Sequence, residues 1–192
     1  MHKTRLEAFS DGVVAILITI LVLDLKVPQG ADLDSLRPVL PVFLAYVLSF
    51  VYLGIYWNNH HHMLHAVGRV DGRVLWANLH LLFWLSLVPF VTAWMGENRF
   101  EPVPTAAYGV VLLMAAFAYF ILQSSLIRLE GKDSQLAQAV GRDGKAYFSL
   151  ACYVAAILLA FLAEWISWIL FVVVALLWLV PDRRIESRFG GS

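Results

Sequence analysis

Charged residues and cysteines are both scarce in this sequence of 192 residues. Lys, Arg, Asp and Glu together make up 15% of the chain, and 14 basic side chains balance 14 acidic ones. A chain without net charge lacks the basic excess that points to nucleic-acid binding or to a polybasic lipid anchor. The single cysteine, Cys152, has no partner in the chain for a disulfide or a thiolate metal cage, so we expect a small core or lipid-facing residue there.

An internal repeat is also absent, because residues 1–95 do not resemble residues 96–192. This absence argues against a transporter built from two inverted repeats within one chain. Apolar residues, in contrast, are abundant. The chain is 60% hydrophobic, contains seven Trp and has a mean hydropathy of +0.73. This composition is typical of a polytopic membrane protein.

Six segments of the chain are long enough to cross a bilayer, which requires about 20 mostly apolar residues. We predict an all-α integral membrane protein with one membrane domain, residues 1–189, followed by a tail or cloning remnant at residues 190–192. The predicted helices cover residues 5–26, 38–66, 73–95, 104–128, 145–163 and 165–181. Residues 146–180 as one helix would exceed the hydrocarbon thickness by roughly 20 Å, so two helices are favoured there. The polar stretch 128–145 is typical of an interfacial loop or short helix.

Basic residues concentrate on one side of this predicted topology. With six crossings, the N-terminus, the second and fourth connections and the C-terminus share a side. That side holds eleven of the 14 basic residues, namely Lys3, Arg5, Arg69, Arg73, Arg128, Lys132, Arg142, Lys145, Arg183, Arg184 and Arg188. The positive-inside rule places this side, and both termini, in the cytoplasm.

The first apolar segment carries polar side chains that a lipid-facing anchor does not need. Asp11 lies in its first third, and an acid at the centre of a membrane helix costs roughly 2.5 to 3.5 kcal/mol. A single stripe is formed at three- and four-residue spacing by Gly12, Ile16, Thr19 or Ile20, and Leu23, and it ends near Asp24. Acids near both ends of a stripe are what a cation path presents at its mouths. Burial between helices, with Thr19 bonded to a carbonyl one turn back, is the alternative interpretation.

Histidines cluster at the end of the second segment, at positions 60, 61, 62 and 65. His61 and His65 lie four residues apart and His62 and His65 three apart, so each pair shares a helix face and can hold a metal ion. No acid accompanies them at a catalytic spacing. We favour hydrogen-bonded histidines near the membrane interface, and keep a metal site as the alternative.

Asp11 needs partners if it is buried. Arg5 lies one to two turns away on the same helix, and His60, His61 or Asn78 can approach from the second and third helices. A network of Arg5, Ser10 and Asp11 with these groups satisfies charges that are expensive alone. We favour a role for this network in holding the first helix against its neighbours.

The start of the first helix resembles a known family signature. Arg5-x-x-x-Phe9-Ser10-Asp11 is similar to the motif R-x-x-x-F-S-D of the transmembrane protein 175 family, the potassium channels of bacteria and of lysosomes. The pattern of bacterial members is also similar at Trp57, His60 and His61, at Asn78, and at Ser86-x-x-Pro89-Phe90. The resemblance therefore covers the whole six-helix chain.

This resemblance implies a homotetramer in the plasma membrane of a bacterium, with the first helices lining one central pore. The animal channel has two six-helix units per chain and dimerises, whereas one unit is present here. By position relative to the motif, Ile16 matches the hydrophobic constriction, Thr19 the polar layer linked to potassium preference, and Leu23 the next hydrophobic layer. Gly12, Ile20 and Asp24 are further pore-lining candidates. The bracing network implied by the resemblance comprises Arg5, Ser10, Asp11, Trp57, His61 and Asn78.

The TVGYG carbonyl filter of ordinary potassium channels is absent, and no re-entrant Gly-rich segment replaces it. Selectivity must then come from side chains. We expect a leak-type channel of modest potassium selectivity, with K⁺ as the permeant ion, no cofactor or resident metal and no enzymatic activity. Its expected partners are the bilayer and further copies of the chain, and no nucleic acid. A secondary transporter, coupled to protons through Asp11 and the histidines, is the alternative from another class. A metal-dependent membrane enzyme is the third.

Overall fold

The computed structural model of the chain describes residues 3–131, 133–140 and 144–179, and the regular structure within these ranges is entirely helical. The helices, in chain order, are α1 (Thr4–Leu23), α2 (Leu40–His65), α3 (Gly72–Ser86), α4 (Val88–Glu97), α5 (Pro102–Glu130), α6 (Gln135–Val140), α7 (Gly144–Leu159) and α8 (Glu164–Leu179). A short 3-10 helix, Leu33–Leu36, precedes α2. The predicted all-α architecture is confirmed. The predicted domain limits, the tail at 190–192 and the last two residues of the predicted helix 165–181 lie outside the described residues.

Four stretches of the described chain are long and apolar enough to cross a membrane: α1, α2, Gly72–Glu97 (α3 with α4), and α5. The two helices α7 and α8 are apolar but shorter, with 16 residues each. Residues 160–163 form the turn between them, so residues 146–180 do not form one long helix. The polar stretch after α5 contains the short helix α6.

The predicted helix 73–95 is interrupted in the structure, where α3 and α4 meet at Leu87. Pro89 lies at the start of α4 and has no N–H, so it cannot donate to the carbonyl of Leu85, four residues earlier. The hydroxyl of Ser86 donates to the carbonyl of Phe83 at 2.7 Å. One of the four candidate spans therefore consists of two helices with an irregular point between them.

Helix α1 lies against α2, α3 and α4, which places it at one side of the subunit. On the other side, α5 contacts α3, α4 and α7, and α8 contacts α7 and α2. Fully buried apolar side chains fill the space between, among them Leu53, Leu81, Leu112 and Leu122. The face of α1 that is turned away from these three helices is exposed.

A buried group of hydroxyls joins α2, α4 and α5. Ser49 Oγ lies 2.6 Å from Thr92 Oγ1 and 3.0 Å from Tyr108 Oη, and Thr92 Oγ1 donates to the carbonyl of Val88 at 2.6 Å. Nearby, Tyr52 Oη donates to the carbonyl of Phe171 at 2.7 Å. Polar groups away from water are costly unless they are paired, and these pairs fix how the three helices and α8 meet.

Replacing Gly96 by Ala is expected to destabilise the fold. A Cβ at this position would lie 2.8 Å from the backbone Cα of Val42, so α4 and α2 would have to separate. Small residues let membrane helices approach closely, and overpacking of such a contact costs about 1 to 3 kcal/mol.

The matched control is Gly54→Ala on α2, where an added Cβ meets nothing within 4 Å. We expect a lower thermal unfolding midpoint for the Gly96 variant and an equal or higher one for the Gly54 variant, measured on detergent-solubilised protein. Equal midpoints for the two variants would contradict a close contact between α2 and α4.

Candidate functional site

The exposed surface of α1 forms one continuous stripe. Ile16 is 59% exposed and Leu23 79%, whereas Leu17 and Leu21 on the opposite face are 5% and 2% exposed. The exposed stripe consists of Arg5, Phe9, Gly12, Ile16, Thr19, Ile20 and Leu23. The buried face consists of Leu6, Ser10, Val14, Leu17 and Leu21. The side chains predicted from the sequence to face a pore therefore lie together on the exposed face of α1, and Asp24 is exposed where α1 ends.

Thr19 is exposed in the middle of this stripe. Its hydroxyl donates to the carbonyl of Ile16 at 2.8 Å, which is the local bond considered from the sequence. A hydroxyl has one hydrogen and two lone pairs. With its hydrogen turned back to the helix, the Thr19 oxygen offers its lone pairs to whatever lies outside the subunit.

A buried chain of three polar side chains joins α1, α3 and α2. Asn78 Nδ2 donates to Ser10 Oγ at 3.0 Å, and Asn78 Oδ1 lies 2.7 Å from His60 Nε2. Because this amide oxygen can only accept, His60 Nε2 carries the proton that completes the pair. Asn78 is 0% exposed, Ser10 1% and His60 6%. These three bonded side chains are therefore buried inside the helical bundle, and they fix the contact between three helices.

Asp11 has a partner in α2, on the edge of the same contact. Trp57 Nε1 donates to Asp11 Oδ1 at 3.0 Å. The ring of His61 stacks on Trp57 with centroids 6.0 Å apart and an interplanar angle of 28°, and His65 stacks on His61 in turn. Asp11 is thereby held to α2 through the indole N–H of Trp57, and the stacked rings of His61 and His65 support that indole.

The residues of the predicted network form two separate groups in the structure. One group joins Ser10, Asn78 and His60, and the other joins Asp11, Trp57 and His61. His60, not His61, bonds to Asn78, and His61 touches Trp57 instead. Arg5 is exposed and, among the described residues, makes no hydrogen bond or ion pair. The helical period distinguishes His60 from His61. His60 lies seven residues after the buried Leu53 and four before the buried Leu64, so it shares their face, whereas His61 lies one position away from that face.

Two lysines, neither singled out from the sequence, hold the ends of α1. Lys3 Nζ donates to the carbonyls of Leu64 at 3.1 Å and His65 at 3.3 Å, at the negative end of the α2 dipole. Lys26 Nζ donates to Glu97 Oε1 at 2.6 Å. This hydrogen bond and the charge of Glu97 raise the pKa of Lys26. Helix α1 is therefore held to the rest of the chain at both ends as well as at Ser10 and Asp11.

The four clustered histidines of α2 have different surroundings in the structure. His61, His62 and His65 are exposed, and His60 turns inward to Asn78. No group of three or more His, Cys, Asp or Glu side chains in the described ranges is arranged to hold a metal ion. The geometry supports stacked and hydrogen-bonded histidines.

Comparisons with known proteins identify the family. Residues 5–89 match the family model described as endosomal/lysosomal potassium channel TMEM175. A protein of Chryseobacterium sp. named as a potassium channel is 54% identical over 187 residues, which cover 97% of each chain. A crystal structure described as a lysosomal potassium-selective channel TMEM175 homolog from Chamaesiphon minutus aligns with a TM-score of 0.81 and 31% identity, over 95% of this chain and 97% of that one.

An animal relative is more distant and longer. The TMEM175 protein of Bos taurus, named as an endosomal/lysosomal proton channel, is 31% identical over 179 residues, which cover 84% of this chain and 37% of that protein. This chain thus spans little more than a third of the bovine protein, whereas it matches the Chryseobacterium protein along nearly its whole length. These matches confirm the family resemblance, and this chain is a bacterial member of the TMEM175 family.

Proposed function

We propose that this chain forms a potassium-selective leak-type channel in the plasma membrane, and that α1 lines its pore. The observation that carries the proposal is the exposed stripe of α1, which is apolar apart from Thr19 and Arg5 and is continuous from Arg5 to Leu23. The opposite face of the helix is buried and bonded to its own subunit. Relatives named as potassium channels support the choice of ion.

The proposed assembly is a homotetramer of subunits that each cross the membrane six times. Four copies of the α1 stripe then face one axis. The helices α1, α2, α3 with α4, and α5 provide four crossings, and α7 and α8 provide the other two. At 16 residues each, α7 and α8 are about 24 Å long. A bilayer adjusts to a span several Å shorter than its hydrocarbon core by thinning locally, at a modest free-energy cost.

The proposed orientation has both termini in the cytoplasm. Lys3 contacts the end of α2, and the backbone N–H of Gly68 donates to Glu130 Oε1 at 3.1 Å, so the start of α1 and the ends of α2 and α5 share one side of the subunit. Arg69, Arg73, Arg128 and Lys145 belong to this side, whereas Lys26 and Glu97 mark the other. Lys132, Arg142, Arg183, Arg184 and Arg188, also predicted on the basic side, lie outside the described residues.

Ion selection rests on three layers of α1 in this proposal. Four Ile16 side chains make a dry, narrow constriction that an ion passes only by shedding part of its water or when the helices move. Four Thr19 oxygens, whose hydrogens are donated to Ile16, replace some of that water. Leu23 forms the next apolar layer, and Gly12, Ile20 and Asp24 line the wider parts. Potassium is favoured over sodium because its hydration shell is easier to remove, so we expect modest selectivity.

The bracing contacts have a positioning role in this mechanism. Ser10, Asp11, Trp57 and Asn78 hold the pore helix against its own subunit, and His61 supports Trp57. Arg5 lies on the exposed stripe near the cytoplasmic end and is available to a neighbouring subunit. No cofactor takes part, and K⁺ is the permeant ion.

Recordings from purified protein in planar bilayers test the channel function. Single-channel currents are expected to reverse near the potassium equilibrium potential and to follow it when the gradient is changed. Because animal relatives are named as proton channels, a second recording applies a pH gradient at equal potassium. A reversal potential that follows the pH gradient, or a slow saturable flux coupled to pH without unitary currents, would contradict a potassium channel.

Replacing Thr19 by Ala is expected to lower the preference for potassium over sodium by about two- to fivefold. The change removes one hydroxyl ligand per subunit. We expect the free energy of the contact between this oxygen and the ion to differ between potassium and sodium by only part of the net value of a hydrogen bond. Thr19→Ser keeps the hydroxyl and is expected to keep the preference. Permeability ratios from bi-ionic reversal potentials provide the measurement, and equal ratios for wild type and Thr19→Ala would reject the role of this hydroxyl.

A further inference from the structure

A cavity of about 320 Å³ lies between α2, α5, α7 and α8, on the side of the subunit away from α1. Its volume falls at the lower end of the range of small-molecule sites, about 300 to 1,000 Å³. The wall is mostly apolar and aromatic, and includes Ala116, Phe117, Phe120 and Leu150. Four helices of one chain border this space, which is partly open at the surface because Phe117 and Phe120 are about half exposed.

Three polar side chains on this wall have no hydrogen-bond partner among the residues that the structure describes. Tyr56, Asn59 and Gln123 line the cavity, and the Tyr56 hydroxyl and the two amide groups make no hydrogen bond with the described part of the chain. In contrast, the neighbouring Ser149 and Trp178 are bonded to one another at 2.8 Å. Unpaired polar groups in a membrane-spanning region are costly, so a ligand that pairs with them gains free energy on binding.

The polar groups sit toward one end of the cavity. Asn59 is six residues, about 9 Å, before the end of α2 at His65, and Gln123 is seven residues before the end of α5 at Glu130. These two helix ends share the predicted cytoplasmic side of the subunit. Ala116, Phe117 and Phe120 lie further from that side along α5. The cavity is therefore polar toward the interface and apolar toward the middle of the membrane.

We propose that this cavity binds one single-chain neutral amphiphile, with a hydroxyl or ester head on Tyr56, Asn59 and Gln123 and its hydrocarbon chain against Ala116, Phe117 and Phe120. The head group is neutral because none of the described residues that line the cavity carries a charged side chain. A carboxylate would have to leave water without a cationic partner. The ligand class is thus a long-chain alcohol or a monoacyl ester, taken up from the cytoplasmic leaflet.

Trp178 lines the cavity and supplies a direct readout. Trp178 is next to the end of α8 and donates to Ser149 near the start of α7, so it lies at the polar end of the cavity. Dodecanol that carries bromine on the carbon next to its hydroxyl quenches indole fluorescence on contact, so the full-length protein in detergent is titrated with this probe. We expect saturable quenching that unlabelled dodecanol reverses and that is absent in Trp178→Phe. Brominated dodecane, which lacks the head group, is titrated in parallel and is expected to bind about three- to tenfold more weakly, the factor that one lost hydrogen bond contributes. Brominated dodecanoate is also expected to bind more weakly, because its charge leaves water without a cationic partner in the cavity.

Two variants test the site itself. Ala116→Leu fills the apolar part and is expected to weaken binding of the alcohol at least about tenfold. Tyr56→Phe removes the hydroxyl and keeps the shape of the wall. We expect it to lower the affinity for the alcohol toward the affinity for the alkane. Quenching that does not saturate, that is equal in wild type and Ala116→Leu, or that is tighter for the carboxylate than for the alcohol would overturn the proposal. None of these readouts requires ion conduction, so they stand apart from the test of the channel.

Discussion

Replacing Ile16 by Asn is expected to raise single-channel potassium conductance at least about tenfold. Four apolar side chains at the proposed constriction exclude water, and an ion that crosses them loses part of its hydration shell. A ring of four amides wets this point and offers oxygen ligands. A decrease of about 1.4 kcal/mol in the barrier corresponds to a tenfold faster passage. The exposed position of Ile16, at 59%, shows that the added amides need not enter the core of the subunit.

The matched control is Ile169→Asn on α8, where the isoleucine is 51% exposed. The two changes are chemically identical and the two positions are similarly exposed, but α8 packs against α7, α2 and α5. Planar bilayer recordings of both variants measure the unitary conductance. An unchanged conductance in Ile16→Asn would mean that the narrow point lies elsewhere, and an equal rise in both variants would attribute the effect to a polar residue in the membrane rather than to the pore.

Replacing Asn78 by Ala is expected to destabilise the subunit by about 2 kcal/mol. The variant leaves His60 and Ser10 without their shared partner, and an unsatisfied buried polar group costs about 1 to 3 kcal/mol. Two such groups would together cost at least about 2 kcal/mol. Because interhelical hydrogen bonds in membranes contribute only about 0.6 kcal/mol on average, we take this lowest value. Because the same amide ties α1 to α3 and α2, we also expect more frequent closed and subconductance states in recordings.

Asn58→Ala provides the control for this change. Asn58 is the same residue type on α2 but is exposed and bonded to none of the described residues, so its removal is expected to change stability by less than about 0.5 kcal/mol. Thermal unfolding followed by size-exclusion chromatography measures both variants. If Asn78→Ala and Asn58→Ala unfold at the same temperature, the buried chain from Ser10 to His60 does not hold the helices together.

Much of the fold follows from residue patterns that act over one helix. Runs of about 20 apolar residues place the spanning segments because backbone groups in a membrane must be satisfied within each helix. The stripe of Ile16, Thr19 and Leu23 follows from the 3.6-residue period, since these residues share a face wherever the helix is placed. The motif at Arg5, Phe9, Ser10 and Asp11 led to the family, which the comparisons confirm.

Contacts between segments distant in the sequence were decided only by the tertiary structure. Asn78 pairs with His60 and not with His61 because of the way α2 is rotated about its axis relative to α3. The apolar side chains on the buried face of α2 determine this rotation. The contacts of Lys3 with α2 and of Lys26 with Glu97 join residues more than 60 positions apart, and lysines near helix ends have no periodic signal that identifies their partners.

The sequence by itself determined that α1 has two unlike faces and that Asp11 needs a partner. It could not determine which face meets the subunit, because lipid, pore and protein all accept the same apolar side chains and membrane helices associate through small residues and polar contacts. The structure turns Ser10 and Leu17 inward, pairs Asp11 with Trp57 and leaves Ile16 and Thr19 exposed. Tertiary packing therefore decided which side of the first helix remains free to line a pore.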